Sequence, residues 1–479
     1  MKKEDLVAWF RAGEKGPEYW GIGTEHEQFL FERGTNRRLS YEGGAGAEAD
    51  AGAEADADAG AGAGAEADAD VGVGAGVAGV DLKAEGSPGI AALLKRWGGD
   101  DWAPMTERGQ VIGLEKEGAS ITLEPGGQFE LSGAKHETVH ATWTETKEHF
   151  ERLGDLGKEM GFYALPMGFD PFTPREEVPW MPKERYRYMR AYMPKKGTLG
   201  LDMMTRTCSI QVNVDFESEQ DMVRKMQVGQ AFQSVVMALF AHSPLTEGKT
   251  NGYLSYRSRV WDDTDDDRCG FLPFVLDEDF SYASWVDYLL DVPMYFIYRD
   301  GKYYDVEDMT FRTFMAGGAR EKYGFEAELA DWEVHVSTVF PDIRLKRFIE
   351  LRGADAGSPE MVTALAAWWV GLLYDAESLS AAHQMAVDLG REAILGLRKE
   401  VPKMGLEARF GAHRLHDIAR NLLTLAQQGL ERRALKLGMA SEAPYLDVLD
   451  ELLTTGKTQA HQVLEAHQYG TFQEPCSCH

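Results

Sequence analysis

Cysteine is scarce: four residues in a chain of 479. That excludes a small secreted fold stapled by disulfides. Long apolar runs are missing too. The longest, 364–374, falls far short of the roughly 20 residues that cross a bilayer, so a membrane is not expected as a partner. Cationic side chains are outnumbered, 50 Lys and Arg against 78 Asp and Glu, for a net charge of −28. Nucleic acid and anionic membranes want the opposite sign, which excludes both as the main partner. No GxGxxG follows a strand and no GxxxxGK[ST] occurs, so neither dinucleotide nor P-loop binding is indicated. The N-terminus, MKKEDLVAWF, has no apolar stretch of signal-peptide type, and Glu4 and Asp5 make it too acidic for a transit peptide. The expectation is a cytoplasmic protein, unless a presequence is missing from this chain.

What is present suits a globular protein with a real core: 44% hydrophobic and 27% charged residues. Residues 44–80 stand apart, because they contain only Gly, Ala, Val, Asp and Glu. Such a stretch cannot bury enough surface to offset chain entropy, and it is expected to be a disordered insertion. Outside it, one catalytic domain over 1–479 is expected, with a mostly helical C-terminal part from 361 onward.

Periodicity gives an α+β chain with a mainly antiparallel sheet surrounded by helices. Residues 18–32 alternate in polarity and predict a strand. Residues 120–123 and 128–131 flank Pro125-Gly126-Gly127 and predict a hairpin. Residues 209–216 (SIQVNVDF) alternate, with Gln211, Asn213 and Asp215 opposite Ile210, Val212 and Val214. Another polar strand end is predicted over 344–351. Helical spacing covers 137–160, 221–240, 361–389 and 415–437.

The chemical signal lies in acids spaced two apart on strands. Strand periodicity puts Glu25 and Glu27 on one face. The turn after Glu124 leads into the strand carrying Gln128 and Glu130, which also share a face. Glu350 and Arg352 repeat the spacing with opposite charges. Phe29, Phe129 with Leu131, and Ile349 with Leu351 are assigned to the other, core face. Clustered carboxylates repel unless cations sit among them. Hard oxygen ligands on a rigid sheet suit Mg²⁺ shared with substrate phosphates. An arginine beside them suits charge developing on a transferring phosphoryl group.

These residues also carry a resemblance. GIGTEHEQF, GGQFELSG, RYRYMRAYMPKKGTLGLDMMTRTCSIQVNVDF, SPLTEGKTNGYLSYRSRVWDDTDDDR, DVPMYFIYR, FPDIRLKRFIELRGAD and AAWWVGLLYD, in that order, resemble the plant-type glutamate–cysteine ligases of plants, algae and proteobacteria. The resemblance implies a glutamine synthetase-like catalytic domain that uses ATP and Mg²⁺. It implies activation of the glutamate γ-carboxylate as γ-glutamyl phosphate and attack by the cysteine amine, the first step of glutathione synthesis. By resemblance, Glu25, Glu27, Glu124, Glu130 and Glu350 are the Mg²⁺-binding carboxylates, with Glu27 also catalytic. Gln211 and Asn213 join the metal set, although more distant ligases of this fold have a histidine at the Gln211 position. Arg352 meets the transferring phosphoryl group. Arg257 holds the glutamate α-carboxylate, which an arginine can grip bidentately. Met204, Arg206 and Trp261 line the substrate pocket. The partners implied are L-glutamate, L-cysteine and ATP, in a monomer or homodimer, with the plastid stroma as the second possible compartment. A related ligase with another amine acceptor is the alternative.

Three further features compete with or qualify this reading. His136-Glu137-Thr-Val-His140 matches HExxH, which on a helix would make a zinc hydrolase with Glu137 as general base. The five aspartates within 262–267 could bind Mg²⁺, or form a solvated turn. Plant members of the family carry regulatory disulfides, but Trp143 stands where one of their cysteines would be. Cys208 and Cys269 lie in core motifs and are expected to be buried, leaving Cys476 and Cys478 in the tail.

Overall fold

The computed structural model describes residues 1–43, 88–306 and 309–470. The expectations for 44–80 and for Cys476 and Cys478 fall outside the described residues. Among those described, nine strands form one sheet. In chain order its strands are β1 (Ile22–Glu32), β2 (Ala103–Glu107), β3 (Gln110–Lys116), β4 (Ala119–Leu123), β5 (Phe129–Ser132), β6 (Phe162–Leu165), β7 (Ser209–Val214) and then Ile343–Leu345 and Ile349–Asp355. Across the sheet the order runs from Ile343–Leu345 through Ile349–Asp355, β7, β1, β5, β4 and β3 to β2, with β6 paired to the far end of β1. Every pairing in this sheet is antiparallel. The α+β class with a mainly antiparallel sheet is therefore borne out.

Helices surround the sheet. The relevant ones are α1 (Lys3–Arg11), α2 (Ile90–Gly98), α3 (Val139–Met160), α4 (Glu184–Tyr192), α5 (Gly200–Arg206), α6 (Glu219–Leu239) and α7 (Tyr256–Trp261), followed by Pro359–Leu373, Ala376–Met404 and Leu415–Leu437. Ile210, Val212, Val214, Ile349 and Leu351 point into a core shared with α6 and with Pro359–Leu373. A second core gathers Leu123, Phe129 and Leu131 against α2. Burying an aliphatic or aromatic side chain of this size contributes about 1.5–3 kcal/mol, so these two cores fix which sheet face is left for polar groups.

Local rules explain where sequence expectation and structure diverge. β1 begins at Ile22, not 18, because Pro17–Tyr19 forms a 3₁₀ turn with proline at its start. The apolar stretch 361–389 is two helices. Asp375 interrupts it by accepting the Ser378 amide at 2.8 Å as an N-cap, and the second helix is broken again at Gly390, with φ 72° and ψ 157°. Phe29 lies on the Glu27 face rather than the core face, since 25, 27 and 29 share parity. It is buried beyond the acids in a separate cluster with Phe31, Tyr163 and Cys208. The 415–437 helix matches its expected bounds. The β4–β5 turn needs glycine twice: Gly127 has φ +79°, and a Cβ on Gly126 would lie 2.4 Å from the Thr205 carbonyl oxygen. That close approach ties the acid-bearing hairpin to α5.

Candidate active site

Strand register brings the acids together. Glu27 pairs directly with Glu130 across β1 and β5. Glu25 pairs with Gln211, and Asn213 pairs with Glu350 on the next strand. One row of side chains thus crosses four strands on the face opposite the two cores. Within it, Asn213 Nδ2 donates to Glu25 Oε1 at 2.8 Å, while the buried Asn213 Oδ1 has no partner. The Ser209 amide donates to Glu27 Oε2 at 2.5 Å. Thr122 Oγ1 donates to Glu130 Oε2 at 2.6 Å.

The electrostatics are lopsided along the row. Burial, and next the neighbouring Glu124, push the Glu27 carboxyl up to about 7, against the pull of Arg257, the Ser209 amide and Arg352. Burial again, with Glu124, Glu27 and Glu25 adding repulsion, pushes Glu130 well above the usual carboxylate range. This end of the row carries more negative charge than its surroundings neutralise. At the other end, burial also acts against the Glu350 anion, but Arg344, Lys346 and Arg352 outweigh it and hold its carboxyl below the ordinary range. Glu350 Oε2 accepts from Arg344 Nε, and Oε1 faces Lys346 Nζ. In this structure both of its oxygens face basic side chains. Gln211 Oε1 likewise accepts from a cation, Arg352 Nη1.

The arginines converge from two directions. Arg352 stands on the sheet two residues after Glu350. Arg257, in the first turn of α7, is buried and donates from Nη2 to the Arg352 carbonyl at 3.0 Å. Its Nε is buried without a partner. Arg257, Trp261, Phe340, Asp342, Arg352 and Gly353 share one small cavity. Asp355, a residue that sequence reasoning missed, organises this corner. Its Oδ2 accepts from Ser243 Oγ at 2.6 Å and from the His242 amide at 2.9 Å, and its Oδ1 accepts from Ser255 Oγ at 2.9 Å. Ser255 is the N-cap of α7, so Asp355 sets the position from which Arg257 emerges. Arg344 and Lys346 were missed too. Lys183 was a fourth omission: it is held by the Leu123 carbonyl at 2.7 Å, with burial pulling its amine down and Glu124 and Glu130 nearby. Only the FPDIRLKRFIELRGAD hairpin pattern, which puts Arg344 opposite Glu350, carried a signal.

Other expected residues lie elsewhere or do other work. Met204 is buried in the second core, and its carbonyl accepts from Gln128 Nε2 at 3.2 Å. Arg206 is fully committed inside the fold, 2.6 Å from Asp202 and 3.0 Å from Glu247, with its guanidinium over Phe169. Neither is free to meet a substrate. The HExxH reading fails on geometry. Thr138 caps α3, so His136 precedes the helix and the two histidines do not share a helical face. His136 turns to Glu145 at 3.1 Å, and His140 to the Tyr445 hydroxyl at 3.0 Å. Four of the five aspartates in the run form ion pairs: Asp262 with Arg398, Asp263 with Arg259, Asp265 with Arg268 and Asp267 with Lys196.

Among the described residues, no three His, Cys, Asp or Glu side chains already enclose a metal position. The donor set nonetheless fits a hard divalent cation. Two carboxyls are held unfavourably by their neighbours, and a buried amide oxygen lacks a donor, all on one rigid sheet face. An acid row with the buried Arg257 and the half-buried Arg352 beside it defines a class: an enzyme whose sheet face holds anionic substrates between opposite charges.

Comparison with known proteins narrows this class. The profile of Glutamate-cysteine ligase family 2 matches residues 21–477. Glutamate–cysteine ligase A, chloroplastic, of Oryza sativa subsp. indica is 44% identical over 468 residues, covering 98% of this chain and 85% of the relative. The chloroplastic glutamate–cysteine ligase of Arabidopsis thaliana is 44% identical over 477 residues, covering 99% and 82%. The chain belongs to the glutamate–cysteine ligase family and is an enzyme of the ligase class. A solved glutamate–cysteine ligase from Francisella tularensis in complex with AMP aligns at a TM-score of 0.45 and 11% identity, over 94% of this chain and 86% of that one. No described helix is long and apolar enough to cross a membrane.

Proposed function

We propose that this enzyme joins the γ-carboxylate of L-glutamate to the amine of L-cysteine at the expense of ATP, with γ-glutamyl phosphate as intermediate. The products are γ-glutamylcysteine, ADP and phosphate, and the reaction opens glutathione synthesis. The observation that carries this reading is the division of the sheet face into an under-neutralised acid end and an arginine end.

Glu25, Glu27, Glu124 and Glu130, with Asn213 Oδ1, would hold Mg²⁺. When bound, the metal screens the negative charge of the nucleotide phosphates. Arg352, aimed by Gln211 and Glu350, stabilises charge on the phosphoryl group as it passes to the glutamate carboxylate oxygen. Arg257, with its free Nε, grips the glutamate α-carboxylate, and Trp261 walls the same cavity. A carboxylate is a poor electrophile and an acyl phosphate is lost to water, so the site must hold the acceptor amine close and dry. The nitrogen lone pair then attacks the acyl carbon, phosphate leaves with the bonding electrons, and the ammonium proton is lost.

Glutamate labelled with ¹⁸O in its γ-carboxylate tests the intermediate. Phosphate released during turnover carries one label if that oxygen accepts the phosphoryl group. Unlabelled phosphate would show that the carboxylate is not activated this way. The chloroplastic relatives support action in a plastid stroma, with the cytoplasm as the alternative compartment.

A further inference from the structure

The sheet has a second recess on its other side. It is a groove of about 590 Å³ whose walls include Trp97, Trp102, Leu131, Thr144, His149 and Arg152. Its volume falls within the range of small-molecule sites. Leu131 alternates with Glu130 on β5, so the groove opens on the face away from the acid row. Ligands could occupy both sides at once.

We propose that this groove is a second small-molecule site, and that it takes a planar heteroaromatic ligand with a hydrogen-bonding edge. His149 makes the case. It is only 4% exposed, it borders the groove, and neither ring nitrogen has a partner. Buried polar atoms in native proteins are almost always satisfied, so two open nitrogens on one ring point to something that binds them. The environment keeps the ring neutral: burial, then His26 and Arg152, pull its pKa down. A neutral imidazole has one donor and one acceptor nitrogen on diverging sides of the ring, so a nitrogen facing the groove can pair with one complementary ring nitrogen of a heterocycle.

The remaining walls favour a flat, apolar body. The Trp97 ring lies 5.0 Å from His149, with the Arg152 guanidinium 4.6 Å from the Trp97 centroid. Trp102 adds a second indole to the same groove. Aromatic faces prefer aromatic partners in offset or edge-on contact. Lys116 and Arg152 stand against Glu117, Glu145 and Glu148 around the groove, so its walls carry both signs. Behind His149, at 4.8 Å, lies His26, whose ring nitrogens are also unpartnered. His26 sits on β1 between Glu25 and Glu27, which places the groove directly behind the acid row.

The test uses the full chain labelled with 5-fluorotryptophan, with resonances assigned through Trp97→Phe and Trp102→Phe, and benzimidazole as probe. Fluorine shifts confined to Trp97 and Trp102 are expected, saturating with probe and unchanged by ATP with glutamate. Thr144→Phe, which fills the groove from an exposed helix position, should weaken binding at least tenfold while leaving ligation activity intact. His149→Gln should weaken it as well. Indane, of similar shape but without ring nitrogens, should bind at least tenfold more weakly. Absent shifts, shifts spread over all tryptophans, loss of binding when ATP is added, equal affinity for indane, or no effect of Thr144→Phe would each overturn the proposal.

Discussion

Replacing Glu27 by glutamine should stabilise the metal-free protein at neutral pH. The carboxyl is raised from 4.5 to about 7 in the fold, so the folded state prefers it protonated. Below about pH 4.5 the group is neutral in both states and costs nothing. As the pH rises, the unfolded chain ionises first, and folding stability falls until the folded group has ionised too, above about 7. The difference of 2.5 in pKa sets a ceiling of about 3 kcal/mol. Glu27 keeps some solvent contact, so about half of that is expected, roughly 1.5 kcal/mol. In a chain of this size that corresponds to about 1.5 °C in Tm. Glutamine keeps an oxygen for the Ser209 amide and loses only the charge. Differential scanning calorimetry in chelator at a series of pH values should show wild type and Glu27→Gln coinciding near pH 4.5, with the variant higher by that margin at pH 8. Millimolar Mg²⁺ should raise wild type more than the variant. A variant that melts below wild type at pH 8, or a gap that does not change with pH, would refute the reasoning.

Other outcomes follow from the same geometry. Arg352→Ala should lower kcat about 10²–10³-fold in a coupled ADP assay while glutamate binding by calorimetry survives, as expected when one charge-stabilising donor is removed. Asp355→Asn should raise the glutamate KM about tenfold with a smaller change in kcat, because it loosens the α7 start that aims Arg257; a pure loss of soluble protein would assign Asp355 to stability alone. His140→Ala should leave activity within about twofold, and chelated enzyme should recover with Mg²⁺ and not with Zn²⁺, since His140 faces Tyr445. Dithiothreitol should change activity by less than about twofold, because Cys208 and Cys269 are free and buried, and burial pushes both thiols up.

Much of the sheet face was legible because its period is two. Glu25 and Glu27, Glu130, Asn213, Glu350 and Arg352 all sit on the face that alternation assigns them, and antiparallel pairing then aligns them across strands. The same rule, applied carefully, places Phe29 with Glu27, and only the change of neighbours along β1 makes that face apolar beyond the acids. What alternation cannot supply is which charges meet. That Arg344 and Lys346 satisfy Glu350, and that Gln211 serves Arg352, depends on hairpin register and side-chain reach. Arg206 was readable in part: Asp202 lies one helical turn before it, while Glu247 is brought in only by the fold. Asp355 was not, because its partners at 242, 243 and 255 are a hundred or more positions earlier. The rear groove joins residues from 97 to 152 on three kinds of element, and no local pattern marks such a space.

The central claim is the joining of glutamate and cysteine, and product formation tests it most directly. Purified protein with Mg²⁺, ATP and L-glutamate should release ADP at a rate that depends on L-cysteine, with γ-glutamylcysteine accumulating one for one by mass spectrometry. ADP release that requires a different amine, or cysteine-dependent turnover without γ-glutamylcysteine, would contradict it.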